Sequence, residues 1–206
     1  MTAAFIIIDV QNDFMPGGSL AVAEGDLIIP VINALQTKFN LVLATQDWHP
    51  AHHKSFASNH SNKKPFEKIL LQGLEQTLWP DHCVQGTKGA ELHPRLETSA
   101  IEAIFKKGID PEIDSYSGFY DNGRLKNTGL ADFLHAKNVK TLYFSGLCAD
   151  ICVYFTIKDA LAEGFKCVLI EDATRPLDEN NFKEIKRELL GQGVEILKSG
   201  EIGNLK

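Results

Sequence analysis

Apolar positions along the chain fall into two rhythms. Short continuous runs at residues 4–8, 41–45, 101–105, 141–144, 166–170 and 194–197 alternate with stretches at 26–39, 129–138, 150–163 and 178–190, where apolar residues return every three or four positions. Runs of the first kind suit strands buried on both faces. Stretches of the second kind suit amphipathic helices, the last opening on Asp178 as a candidate N-cap. Strand and helix patterns in alternation predict a parallel sheet covered on both sides. The expected architecture is α/β, with a single doubly wound domain over residues 1–206, about six mainly parallel strands and helices on both faces. Repeats, linkers and low-complexity tracts are absent from the sequence.

In such a sheet ligands bind outside the carboxyl ends of the strands, so the residues that follow each apolar run carry the functional expectation. The first run stops at Asp9, the second leads into Thr45-Gln46-Asp47-Trp48-His49, and the third ends in Lys106-Lys107-Gly108. The fourth breaks at Gly146 and turns through Leu147-Cys148-Ala149-Asp150 into a helical pattern that holds Cys152. A thiol where a helix begins is biased towards thiolate by the unpaired N–H groups and the helix dipole, and the turn offers N–H groups to an oxyanion. The bland alternative is a small buried cysteine. Lys107 at the end of an apolar strand needs a partner unless it snorkels to solvent, and Asp9 is the candidate. Asp9, Lys107 and Cys152 are therefore expected to meet at one sheet edge.

The stretch from 46 to 95 is the least sheet-like part of the chain and holds six of the seven histidines. A long irregular segment inside a compact domain usually binds something or caps a site. Asp47-x-His49 sets two ligands on one side of an extended segment, and the rigid turn Trp79-Pro80-Asp81-His82 can bring a third. Two imidazoles and a carboxylate with open positions suit Zn²⁺, Fe²⁺ or Mn²⁺. His53 is a possible additional ligand, while His52, His60 and His93 read as solvated.

Composition narrows the classes. The chain has 44% apolar and 23% charged residues and a formal charge of -6, with its basic residues scattered, which disfavours nucleic acid as a partner. The apolar start at residues 3–8 is broken by Asp9, too early for a membrane span, and no basic segment precedes it, so a cytoplasmic location without a membrane partner is expected. Cys83, Cys148, Cys152 and Cys167 form no CxxC pair, which favours free thiols over a disulfide framework.

Across nearly its whole length the chain resembles the nicotinamidases of the isochorismatase-like cysteine hydrolase superfamily. The resemblance rests on Asp9-Val10-Gln11-Asn12-Asp13-Phe14, Pro16-Gly17-Gly18-Ser19-Leu20, Thr45-Gln46-Asp47-Trp48-His49-Pro50 and Trp79-Pro80-Asp81-His82-Cys83-Val84-Gln85-Gly86-Thr87. Lys107-Gly108, Asp114-Ser115-Tyr116-Ser117-Gly118-Phe119 and Gly146-Leu147-Cys148-Ala149-Asp150-Ile151-Cys152-Val153 complete it. It implies Cys152 as nucleophile, Asp9 as general base and then acid, Lys107 as third member of the triad, and Asp47, His49 and His82 as ligands of one divalent metal, zinc before iron or manganese. It also implies nicotinamide as the small-molecule substrate in NAD salvage, with pyrazinamide also accepted. Phe14, Trp79 and Tyr116 would pack on the ring. A cis peptide between Leu147 and Cys148 would aim the N–H groups of Cys148 and Cys152 at the oxyanion. Members of the family usually have a small residue, often alanine, at the position of Cys148, so the second thiol is a departure. Two alternatives stand beside this reading. One is a related cysteine hydrolase acting on another amide or carbamoyl group, which would generally lack the metal trio; the other is a non-catalytic ligand-binding homologue. A homo-oligomer is compatible with the sequence.

Overall fold

The computed structural model describes residues 2–206. Its strands are β1 (Ala3–Ile8), β2 (Val42–Asp47), β3 (Lys68–Leu71), β4 (Leu74–Thr77), β5 (Ile101–Lys107), β6 (Thr141–Leu147), β7 (Lys166–Arg175) and β8 (Glu195–Leu197). The α-helices are α1 (Ile28–Gln36), α2 (Leu130–Ala136), α3 (Tyr154–Ala162) and α4 (Glu179–Gly191). Six strands form one sheet in the order β5-β2-β1-β6-β7-β8, with every neighbouring pair parallel. The expected six-stranded α/β domain is therefore the one observed.

The pleat divides the core. Phe5 and Ile7 of β1 join the apolar layer beneath α1, with Ile28, Ile29, Ile32 and Leu35. Ala4, Ile6 and Ile8 face the opposite layer, with Leu130 and Leu134 of α2, Ile157 of α3, and Phe182, Ile185 and Leu189 of α4. Alternate residues of a strand buried on opposite sides need a strand apolar throughout, which is why the inner run of β1 shows no polar alternation. The edge strand β5, expected to be buried on both faces, instead alternates, with Glu102, Ile104 and Lys106 exposed. Asp178 caps α4 as expected, its carboxylate accepting the N–H groups of Asn180 and Asn181.

Strand order reverses between β1, which leads out to β2 and β5, and β6, which leads out to β7 and β8. A reversal of this kind opens a crevice beyond the carboxyl ends of the two central strands. Asp9 follows β1 there, and the Cys148–Cys152 turn follows β6. Three local features differ from the sequence reading. β6 and β7 run on to Leu147 and Arg175, past the ends of their apolar runs, with a register irregularity between Phe144 and Gly146. Cys152 sits in a π-helical turn, Ala149–Val153, ahead of α3 rather than in the first turn of an α-helix; the Val153 N–H reaches back five residues to the Cys148 carbonyl. The 46–95 segment contains a small antiparallel hairpin, β3–β4, turned at Gln72 and Gly73, both with positive φ as a tight hairpin turn requires.

Candidate active site

Lys107 is the hub of the crevice. Its side chain is fully buried, and Nζ lies 3.0 Å from Asp9 Oδ2, 3.0 Å from Asp47 Oδ1, 3.0 Å from the Ser115 carbonyl and 3.6 Å from Cys152 Sγ. Full burial removes the snorkelling alternative, and a lysine buried this deeply is tolerable only because two carboxylates face it. Sheet register creates the contact with Asp47: β2 and β5 pair in parallel with Asp47 beside Lys107 and Gln46 beside Lys106. The pleat sends Lys106 to the exposed face, where its ammonium lies 3.8 Å from the centre of the Trp48 ring.

Burial would lower the Lys107 pKa, but the charges of Asp47 and Asp9 outweigh it and hold the ammonium well above the ordinary lysine value. Asp9 moves up, because loss of solvent outweighs the attraction of Lys107. Its Oδ1 accepts the Thr45 hydroxyl at 2.6 Å, while Oδ2 has the ion pair with Lys107 and no directed donor. Oδ2 is thus the oxygen left to exchange a proton. Burial also pushes the Cys152 thiol well up, with Lys107 opposing and the carboxylates of Asp9 and Asp47 adding to the rise. The thiolate bias expected from a helix start is reversed here: the thiol rests protonated and needs a base.

The second cluster is built on the extension of β2. Trp48 N–H bonds the Lys107 carbonyl, His49 N–H bonds the Cys83 carbonyl and Gln85 N–H bonds the His49 carbonyl, so the 83–85 segment runs beside His49 and carries His82 with it. Asp13 adds a tie, its Oδ2 accepting the Cys83 N–H at 2.7 Å. Gln11 holds the backbone of Asp47 as a neighbouring strand would, accepting its N–H and donating to its carbonyl, both at 2.8 Å. Asp47, His49 and His82 are all buried and offer ligand atoms within 4.8 Å of one another. His49 Nδ1 is 2.9 Å from the Gly108 carbonyl and His82 Nδ1 is 2.8 Å from the Pro80 carbonyl. A carbonyl only accepts, so both rings carry a proton on Nδ1 and turn Nε2 inward, to 3.1 and 3.5 Å from Asp47 Oδ2. Burial would lower the His49 pKa but the charge of Asp47 raises it, so an entering ion displaces its Nε2 proton. Two imidazole lone pairs and a carboxylate, oriented by outer hydrogen bonds, are then the donor set of an open divalent-metal site. Asp47 is suited to it: burial works against its charge, yet His49 and Lys107 hold it well below the usual carboxylate range.

His53 takes a different place. Its ring centre is 4.5 Å from that of His49, its Nδ1 bonds the Ser55 hydroxyl at 2.7 Å, and its Nε2 is buried without a partner. It groups with His49 and Asp114 and not with the Asp47–His49–His82 trio. Burial and the neighbouring His49 pull its pKa down to about 4, so its imidazole is neutral at pH 7.

Between the two clusters lies a small cavity of about 20 Å³, lined by Phe14, Trp79, Tyr116, Cys148 and Cys152 with Asp47 and His82 at one end. The structure thus brings together Asp9, Lys107, Cys152, Asp47, His49, His82 and the four pocket residues singled out in the sequence. Leu20, Asp114, Ile151 and Leu177 complete the wall. Of these, Leu20, Asp114 and Ile151 stand inside recognised motifs that gave no hint of their facing, and Leu177 lies beyond any motif. Asp150 sets Leu177 in place, its carboxylate accepting the N–H groups of Leu177 and Asp178 at 2.8 and 3.0 Å. The Leu147–Cys148 peptide is cis, and all four cysteines are free and buried.

Comparison with known proteins places this geometry in context. The isochorismatase domain model matches residues 3–199. The nicotinamidase of Acinetobacter baylyi is 46% identical, over 97% of this chain and 94% of its own length. A solved nicotinamidase pyrazinamidase of Acinetobacter baumanii is 44% identical, covers 97% of each chain and superposes with a TM-score of 0.94. The pyrazinamidase of Pyrococcus horikoshii, solved in complex with zinc, is 35% identical over 96% of this chain and 99% of its own, with a TM-score of 0.79.

Proposed function

The chain belongs to the isochorismatase family, and we propose that it hydrolyses nicotinamide to nicotinate and ammonia through a thioester on Cys152, as a step of NAD salvage in the cytoplasm. Pyrazinamide, an isostere with one further ring nitrogen, fits the same reading. The observation that carries it is the position of Lys107, in contact at once with Asp9, Cys152 and the metal-site carboxylate Asp47. A binding protein has no use for a protonated thiol, a carboxylate with one undirected oxygen and a buried ammonium within reach of one another. The metal trio argues against relatives that act on other amides. Among the described residues no helix is long and apolar enough to cross a membrane.

Asp9 Oδ2 takes the Cys152 proton, and Lys107 stabilises the thiolate so formed. The sulfur adds to the carboxamide carbon, and the oxyanion is received by the N–H groups of Cys148 and Cys152. The C–N bond breaks as Asp9 returns the proton to the departing nitrogen, giving ammonia. Asp9 then draws a proton from a water that attacks the thioester, releasing nicotinate and restoring the thiol. Asp47, His49 and His82 would hold a divalent ion, zinc by the donor set, which when bound supplies a Lewis-acidic anchor for the pyridine nitrogen. Phe14, Trp79 and Tyr116 provide flat apolar walls for the ring.

The test is ammonia release from nicotinamide by the purified protein, before and after chelation and with metal restored. Release that is lost on chelation and regained with zinc is expected. Absence of release from metal-loaded protein would remove nicotinamide as substrate.

Gly108 gives a further check on the metal trio. Its φ is +66°, and a Cβ there would meet His49 Cε1 at 2.4 Å, His49 Nδ1 at 2.6 Å and Asp47 Oδ1 at 3.0 Å. Gly108→Ala therefore has to displace the ligands as well as adopt a left-handed backbone, which alone costs about 1–2 kcal/mol. The expected result is a protein that purifies with much less than one zinc per chain by elemental analysis. Full metal content would show that the trio tolerates displacement of His49.

A further inference from the structure

We propose that Gln76, on the β3–β4 hairpin, is a positioning residue that holds the Tyr116 hydroxyl and thereby sets the aromatic wall that grips the substrate ring and selects an unsubstituted one. The inference rests on the amidase reading above. Most of the hairpin lies in solvent, with Lys68, Leu70, Leu74 and Glu75 all exposed, yet Gln76 is only 3% exposed. Its Nε2 lies 2.7 Å from the Thr77 carbonyl, 2.8 Å from Asp114 Oδ2 and 3.0 Å from the Tyr116 hydroxyl. A carbonyl and a carboxylate only accept, so the amide turns its nitrogen towards Thr77, Asp114 and Tyr116, with its two N–H groups shared among the three. Trp79 Nε1 donates to the same hydroxyl at 3.3 Å. The hydroxyl thus faces the Trp79 N–H and a shared N–H of Gln76, and burial keeps the phenol neutral by raising its pKa.

One amide on a surface hairpin thus holds the Tyr116 hydroxyl, and through that hydroxyl the tie to Trp79, on a pocket wall where the two rings stand nearly perpendicular with their centres 6.1 Å apart. The other large apolar wall residues, Phe14, Leu20, Ile151 and Leu177, have no side-chain polar tether. A cavity of about 20 Å³ has room for about one water, so the setting of these walls bears directly on how a heteroaromatic ring is received. How far the tethered rings give, and how well they close on a flat ring, depends on the hydrogen bonds at Tyr116. Gln76 touches none of Cys152, Asp9 or Lys107, so its influence falls on binding and selectivity and not on the chemical step.

The experiment compares Gln76→Leu, Tyr116→Phe and the double variant, all zinc-loaded, with nicotinamide and with 5-methylnicotinamide. Loss of the hydrogen bonds that hold the Tyr116 hydroxyl predicts a rise in KM for nicotinamide of about five- to tenfold with kcat within about twofold. It also predicts a smaller preference for nicotinamide over the methylated ring. Both single variants remove the Gln76–Tyr116 contact, so the double variant should lose clearly less than the sum of the two. An unchanged or lowered KM for nicotinamide, a fall in kcat alone, or additive losses would overturn the proposal. Should Gln76→Leu not fold, Tyr116→Phe decides it alone, since it removes the acceptor and leaves the hairpin as it is. If the wild-type protein hydrolyses no nicotinamide, the amidase reading fails separately. The clamp is then read from the emission of Trp79 in a Trp48→Phe background, which Gln76→Leu should shift and which an unaltered spectrum would refute.

Discussion

Cys152→Ala is expected to abolish ammonia release from nicotinamide, a loss on the order of 10⁵-fold or more, as when the nucleophile of a catalytic triad is removed, while the melting temperature stays close to that of the wild type. Two properties of the site separate these effects. Sγ is the only sulfur in contact with Lys107, at 3.6 Å among the described residues, so no other thiol inherits the stabilised thiolate. Cys148 lines the same cavity, but burial pushes its thiol well up. For the fold, Cys152 stands at the cavity edge of one apolar layer, so deleting one sulfur there removes only a small part of that layer, and Lys107 keeps Asp9, Asp47 and the Ser115 carbonyl. Such a change should cost no more than about 1–2 kcal/mol. Residual turnover above about one part in a thousand, far more than the loss of a triad nucleophile leaves, would move the nucleophile elsewhere, with Cys148 as the first residue to test. A variant that no longer folds would make Cys152 a packing residue.

The sequence carried the sheet and the convergence of Asp9, Lys107 and Cys152 for one physical reason. Strands buried on both faces must be apolar throughout, so the first polar residue after each run marks a strand tip, and topology gathers the tips. The same pleat logic separates Lys106 from Lys107, although only the β2–β5 register shows Asp47 to be the second partner of Lys107. Other features depend on distances that no run of residues encodes. The Cys152 thiol feels burial and two carboxylates more strongly than the helix start behind it. Gln76 stands in an exposed hairpin without a motif, and nothing local distinguishes it from Gln72, which turns the hairpin tip. The place of His53, beside His49 and Asp114 and apart from the trio, follows from the way the 49–56 turn folds back: His53 N–H bonds the Pro50 carbonyl and Phe56 N–H bonds the His53 carbonyl.

Lys107→Met should combine a loss of activity of at least about 10³-fold, the scale seen when a member acting as a unit with the nucleophile is removed, with a loss of stability of about 3–5 kcal/mol, the usual result of breaking a buried charge pair from one side. Methionine fills a similar volume, so packing is a minor part of the effect. What disappears is the cation between Asp9 and Asp47, each 3.0 Å from Nζ. Two buried carboxylates then face each other, and one has to bind a proton. Asp9 is the one that yields: its pKa is already raised by burial, whereas Asp47 is held down by His49 as well as by Lys107. A protonated Asp9 cannot accept the Cys152 proton, and with the thiol pKa raised by burial the nucleophile stays neutral. Because the group is fully buried, added salt should restore little of either loss, in contrast to the exposed pairs of the surface. Thermal melts and ammonia release, measured at low and high ionic strength, check both halves. Wild-type stability with lost activity would mean that Asp9 and Asp47 accommodate each other without a cation; retained activity would remove Lys107 from the catalytic group.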